Sequence, residues 1–299
     1  AALDVRYWLA ALAVYVLAQL ASSLRWQLLA RPLHFHLPYH RYLALYFVGM
    51  FFNLVLPTSV GGDVVRAWYL GAPTNRRKAA FVTVVAERGS GLGVLVVLAC
   101  AAAPLVPTEL PRWMVVILVG LAVALVACNA ALPFVHLLTR LPLVGRRFVR
   151  VAEVTRTYIG LPGLLLAAAG LSLLVQLASV TQFWLVATGL GLDLPFGYLA
   201  VAVPLVTLLT LVPISISGMG LRELGLVVLL APLGVTTAQA VTLSLLGFAV
   251  NVAASLAGAG VYLAGPYPRY SQGQGGPDDD ASVGRDPDQG REGQPAPAS

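Results

Sequence analysis

Five stretches of this chain, at residues 5–29, 79–103, 113–138, 163–190 and 240–264, are apolar over a length that lets a helix cross a bilayer, which takes about 20 residues. That many runs cannot all be buried in one soluble core. Composition agrees: 58% of the 299 residues are hydrophobic and 11% charged, with a mean hydropathy of +0.81. An ordinary soluble domain carries about twice that share of charge. The expected fold is therefore an all-α polytopic membrane protein.

Two further apolar stretches, 42–72 and 197–232, are broken near their middles, by Pro57 to Asp63 and by Pro213 to Gly220. About ten apolar residues follow each break, too few for a second crossing. Each stretch is expected to form a re-entrant helical hairpin that leaves on the side it entered. The two breaks also spell one motif, PxSxxGxxxR, as Pro57, Ser59, Gly62 and Arg66 and again as Pro213, Ser215, Gly218 and Arg222. QLAS recurs at Gln19 to Ser22 and Gln176 to Ser179, and YLA at Tyr42 to Ala44 and Tyr198 to Ala200. These matches keep a nearly constant spacing, so the chain reads as two repeats, about 1–110 and 111–267.

Loop charge sets the expected orientation. Arg25, Arg31 and Arg41 flank one loop, Arg76, Arg77 and Lys78 fill a second, and Arg140, Arg146, Arg147, Arg150 and Arg156 a third. Basic loops face the cytoplasm, and the loops at 104–112, 190–197 and 232–239 carry only Arg112 as a basic residue. The first two basic loops share a side only if 42–72 enters and returns, and the hairpin at 197–232 then enters from the opposite side. The repeats are thus expected to be inverted, an arrangement suited to alternating access. The second repeat has a helix, 113–138, ahead of its QLAS segment, whereas the first has no equivalent. The chain begins Ala1-Ala2, and a missing N-terminal helix is expected, trimming of an initiator Met alone being the alternative. No secretory signal peptide is evident.

Beyond Tyr267 the composition turns to Gly, Pro, Gln and Asp. Such a segment buries too little apolar surface to offset its chain entropy, so 268–299 is expected to be a disordered cytoplasmic tail. Residues 1–267 form the membrane domain.

Candidate chemistry concentrates at the breaks. Gly61, Gly62 and Gly218 let backbone approach a ligand closely, and the half-helices that follow offer free N–H groups and a positive dipole end to an anion. Arg66 and Arg222 lie about one turn in, where a guanidinium binds phosphate bidentately. Asp63 follows Gly62 and is placed to cap its half-helix, with Met219 at the matching position; Glu223 follows Arg222, with Ala67 at its match. Glu87 and Arg88 add an acid and a base within the next span. Ionisable residues at membrane depth are costly and by default functional, an internal salt-bridge network being the bland alternative. Ser59, Ser215, Ser217 and Asn53 offer neutral hydrogen bonds. Asn53, Gln176, Gln182 and Asn251 either line a cavity or bond between helices, and Gly89 and Gly93 are spaced for close helix packing.

Other chemistries find little support. His34, His36 and His40 lie among Arg and Pro without an acid cluster, so no metal is expected; no GxSxG context surrounds the serines, and no ATP-binding motif or other cofactor signature is visible. Cys100 and Cys128 sit in apolar runs and imply no disulfide framework. The basic loops are explained by topology and anionic lipid rather than nucleic acid.

FFNxxxPxSxGGDxxR, Phe51 to Arg66, together with Glu87-Arg88 and PxSxSGxGxRE, Pro213 to Glu223, resembles the transmembrane region of lysylphosphatidylglycerol synthase, a family of flippase-like membrane proteins in bacteria and archaea. The resemblance covers roughly 5–264. It implies a multi-pass protein of the cytoplasmic membrane that translocates a lipid with an anionic headgroup, whether phospholipid, glycolipid or polyprenyl-phosphate lipid, with a lipid-modifying enzyme as a further partner. Asp is commoner in the family at the position of Glu87, and Gly at that of Ser217. No aminoacyl-transferase domain follows, so synthesis of the aminoacylated lipid is not expected. Two other readings stay open: a membrane transferase or hydrolase acting on lipid phosphates with Glu87 as general base, and a non-catalytic anchor for a lipid-modifying enzyme.

Overall fold

The structure, a computed structural model, describes residues 3–56, 60–106, 110–131, 157–158, 160–210 and 220–265. These are helical, with no strand among the described residues. In chain order the helices are α1 (Val5–Ala30), α2 (Tyr39–Val55), α3 (Gly61–Gly71), α4 (Arg77–Ala102), α5 (Arg112–Ala131), α6 (Pro162–Gly189), α7 (Phe196–Thr210), α8 (Leu221–Leu230) and α9 (Thr237–Ala264). Of these, α1, α4, α6 and α9 are long and apolar enough to cross a membrane. The fifth expected span is represented by α5, which reaches Ala131, where the described residues pause. The proposed tail at 268–299 lies outside the described residues.

Burial is arranged inside out relative to a soluble protein. On α1, Gln19, Ser22, Ser23, Arg25 and Gln27 are buried, while Leu9, Leu17 and Leu24 are exposed. On α5, Val115, Val116, Val119, Val123 and Val126 are likewise exposed. Apolar surface on that scale suits contact with lipid, and it leaves the polar groups to satisfy one another inside the bundle.

The two broken stretches are hairpins, and side-chain contacts establish their direction. Arg66 stacks on Tyr46, and Gly62 lies against Gly49 and Asn53, so α3 runs back along α2. In the second, the Tyr198 hydroxyl donates to the Leu229 carbonyl at 2.6 Å, and Gly225 faces Val206 and Leu209, so α8 returns along α7. Residues Tyr198 to Val206 of α7 are all buried. A helix apolar on every side must be enclosed, and here protein encloses it: α7 is the centre of the hydrophobic core, with Leu226, Leu229 and Leu230 of α8 and Leu243 and Val250 of α9.

Both repeats follow one sequence of elements. A long helix (α1 or α6) precedes the hairpin (α2–α3 or α7–α8). A 3₁₀ turn, Ala72–Thr74 or Ala231–Leu233, then ends on a left-handed residue, Asn75 at φ 51° or Gly234 at φ 74°. A second long helix, α4 or α9, follows. The equivalent helices α1 and α6 lie antiparallel: Arg25 bonds Ser172 near one end, and the Asp4 N–H donates to the Gly189 carbonyl at the other. Antiparallel packing of equivalent helices is what an inverted repeat demands.

Close helix approach depends on glycines other than Gly89 and Gly93. A Cβ at Gly89 would meet nothing within 4 Å, and one at Gly93 would meet a single Leu125 methyl at 3.8 Å. A Cβ at Gly62 would fall 1.8 Å from the Gly49 carbonyl oxygen, and one at Gly258 of α9 would fall 2.0 Å from that of Phe47 on α2. Spacing along one helix did not reveal which face the neighbour takes.

Candidate functional site

The site starts from the first turn of α3. Val60 precedes it, and no side chain of its own caps it. The cap comes from α2 instead: Asn53 Oδ1 accepts from the Gly62 N–H at 2.8 Å. Asp63, expected to cap this helix, turns away to meet Arg66 at 3.1 Å and Arg88 at 2.8 Å. It is drawn by two full charges, a stronger attraction than the partial charge of a helix end. Gly62 therefore serves packing rather than ligand approach, because its α-carbon face is pressed on Gly49. Gly61 is the first residue of α3.

Arg66 is the centre of the first cluster. Its Nη2 donates to Glu87 at 2.5 Å, and its guanidinium stacks between Trp26, 4.7 Å from the ring centroid, and Tyr46, 4.8 Å away. The Trp26 indole N–H is anchored on Thr83 Oγ1 at 2.9 Å, which fixes the ring beneath the cation. Glu87 also accepts from Arg25 at 2.8 Å, and Arg25 in turn donates to Ser172 of α6 at 2.8 Å. Arg25, Arg66, Asp63 and Glu87 are all buried, and Arg88 is half-exposed. Arg25 Nε and Arg66 Nε and Nη1 are buried without a hydrogen-bond partner. Such unmade bonds are costly in a dry interior, which makes these atoms natural points of attachment for an anion.

Arg25 is a residue that sequence reading misplaced. Its position near the end of a span suggested a loop-flanking charge. The structure carries it inward, because the face of α1 that bears Gln19 and Ser22 also bears Arg25. Its place inside the 5–29 stretch was the available signal.

The second cluster is built differently at the matching places. Arg222 Nε donates to Ser244 Oγ at 3.0 Å, and its guanidinium lies 4.7 Å from the Phe248 ring. Ser244 on α9 accepts from Arg222 as Glu87 on α4 accepts from Arg66. The acid is supplied locally: Glu223 meets Arg222 at 3.3 Å, accepts from Ser244 at 2.9 Å and accepts from the Gly220 N–H at 2.5 Å. Glu223 thus does for α8 what Asp63 does not do for α3. Ser59, Ser215, Ser217 and Gly218 lie outside the described residues.

A cavity adjoins each cluster. One, of about 450 Å³, is lined by Arg25, Arg66, Arg88, Asp63 and Glu87 with Gln19 and Gln176. The other, of about 400 Å³, is lined by Arg88 and Arg222 with Gln182, Asn251 and Ser255. Tyr15, Met50, Asn53, Arg88 and Thr207 line both. The four span amides singled out from sequence therefore do both things at once: all line a cavity, and Gln176 and Gln182 also bond the backbone carbonyls of Gly91 and Gly247. Among the described residues no His, Cys, Asp and Glu come together as a metal site.

Comparison with known proteins gives one match. The family model described as the lysylphosphatidylglycerol synthase TM region matches residues 1–258. No curated protein matches the chain, and no solved structure does.

Proposed function

Because this chain belongs to the lysylphosphatidylglycerol synthase TM region family, we propose that it translocates a phosphate-bearing lipid, phospholipid or glycolipid, across the cytoplasmic membrane of a bacterium or archaeon. The observation that carries this reading is the pair of cavities with shared walls. Each holds an Arg of the duplicated motif, Arg66 in one and Arg222 in the other, and Arg88 lines both. A headgroup phosphate would pass from one guanidinium to another without entering hydrocarbon, while its acyl chains stay in lipid. Charged groups along such a path lower the cost of moving an anion through a low-dielectric layer.

The remaining residues have defined parts. Arg66 and Arg222 hold the phosphate; Asp63, Glu87 and Glu223 keep the guanidinium groups oriented; Asn53 supplies a neutral hydrogen bond at the first break, and Gly61 and Gly62 open the half-helix that follows it. Ser59, Ser215, Ser217 and Gly218 are proposed, from the sequence motif alone, to complete the two binding positions. In this reading the basic loops face the cytoplasm, which the distribution of Arg and Lys supports, and the tail lies on the same side.

An enzyme acting on lipid phosphates through Glu87 as general base is the weaker reading. Glu87 is buried and each of its carboxylate oxygens is held by a guanidinium group, Oε1 by Arg25 and Oε2 by Arg66, which leaves neither oxygen free to take a proton from an attacking water.

The test is lipid translocation in proteoliposomes, followed by quenching of a fluorescent lipid from outside. Arg66→Ala and Arg222→Ala are each expected to slow translocation about tenfold or more, equivalent to about 1.4 kcal/mol of barrier. Wild-type rates in both variants would overturn the assignment.

A further inference from the structure

The chemistry of the headgroup is constrained by which charges are already committed. Asp63 is held by Arg66 and Arg88, and Glu87 by Arg25 and Arg66. Glu223 is held by Arg222, Ser244 and the Gly220 N–H. Every carboxylate in the two clusters therefore has at least two donors, and four guanidinium groups stand against three carboxylates. One positive charge is in excess. The atoms still wanting partners are donors on Arg25 and Arg66.

The wall of the smaller cavity tells the rest. Apart from Arg88 and Arg222, its polar lining includes Tyr15, Asn53, Ser179, Gln182, Asn251 and Ser255. These are hydroxyls and amides, able to donate and accept, and no Asp or Glu is among the described residues that line it.

We infer that the site selects a phosphodiester lipid bearing one negative charge and an uncharged, hydroxylated headgroup, and that it rejects headgroups carrying an ammonium. This rests on the reading of the cavities as a lipid path and names the substrate class for it. The phosphate monoanion balances the excess guanidinium charge. Headgroup hydroxyls exchange hydrogen bonds with the amides and serines. An ammonium finds no uncommitted carboxylate, adds to a positive excess and must shed water to enter; discrimination of this kind comes from what is left unpaired in the wrong complex.

The test is native mass spectrometry of the full chain in mild detergent, titrated with three lipids of identical acyl chains. Phosphatidylglycerol carries an uncharged diol, phosphatidylethanolamine an ammonium, and lysylphosphatidylglycerol two ammonium groups. Phosphatidylglycerol is expected to bind at least about tenfold more tightly than either of the others. Equal or tighter binding of an ammonium lipid would overturn the inference. Asn251→Asp places a carboxylate in the cavity at unchanged size and keeps the oxygen that faces the Gln182 amide at 3.5 Å. It is expected to narrow the preference about tenfold, and an unchanged ratio would remove the headgroup from this cavity. Binding is read here without translocation. A protein that selects phosphatidylglycerol but moves no lipid sinks the transport reading alone, and one that moves lipids without selecting sinks this inference alone.

Discussion

Glu87 ties three helices together through two guanidinium groups, one from α1 and one from α3, meeting its carboxylate on α4. Removing one member of a buried ion pair leaves an uncompensated charge and costs about 3–5 kcal/mol. Glu87→Gln keeps the size and loses the charge, so a lowered unfolding midpoint in detergent is expected, with a smaller drop for Glu87→Asp. A midpoint equal to wild type for Glu87→Gln would mean that the cluster adds nothing to stability. The charged residues of this site were legible individually, because ionisable groups inside apolar runs are conspicuous. Their pairing was not. Asp63 next to a helix start looked like a cap, and only the approach of Arg88 from α4 shows why it is recruited elsewhere.

At the scale of elements, the hairpins depend on backbone contact. Gly62 of α3 touches the carbonyl of Gly49 on α2, and a methyl group there has no room. Overpacking of this kind costs about 1–3 kcal/mol or more, so Gly62→Ala is expected to destabilise the protein and to lower its thermal midpoint. Gly89→Ala is the matched control: open space surrounds that position, and Ala is the better helix former by about 1 kcal/mol. An equal drop in both variants would contradict the contact. The spans were readable within a few residues, because length and hydropathy follow directly from the bilayer. The breaks were readable too, since Pro and Gly interrupt helices for local reasons. Which glycine faces which helix depends on rotation about the helix axis, and that is set by neighbours far away in the chain.

At the scale of the whole molecule, Arg88 is the residue through which the halves of the proposed path meet. It lines both cavities, is half-exposed, and its partner Asp63 retains Arg66 without it. Arg88→Gln is therefore expected to leave the thermal midpoint near that of wild type and to slow lipid translocation about tenfold. A variant that translocates at the wild-type rate would remove Arg88 from the path, leaving Arg66 and Arg222 to be judged by their own substitutions.

The sequence by itself determined the class of fold, the positions of the apolar helices among the described residues, and the two hairpins. Each of these follows from local composition against a fixed solvent: a bilayer demands long apolar helices, and a Pro–Gly break within one demands a hairpin. The tertiary structure decided what the sequence leaves degenerate. It brought Arg25 inward from a span end and moved the cap of α3 from Asp63 to Asn53. It gave Arg222 a serine, Ser244, where Arg66 has Glu87 as partner, and supplied the second cluster's acid from Glu223. Those outcomes depend on which long-range partner reaches a charge first in a medium with little water to offer instead, and that competition is settled only when the helices pack.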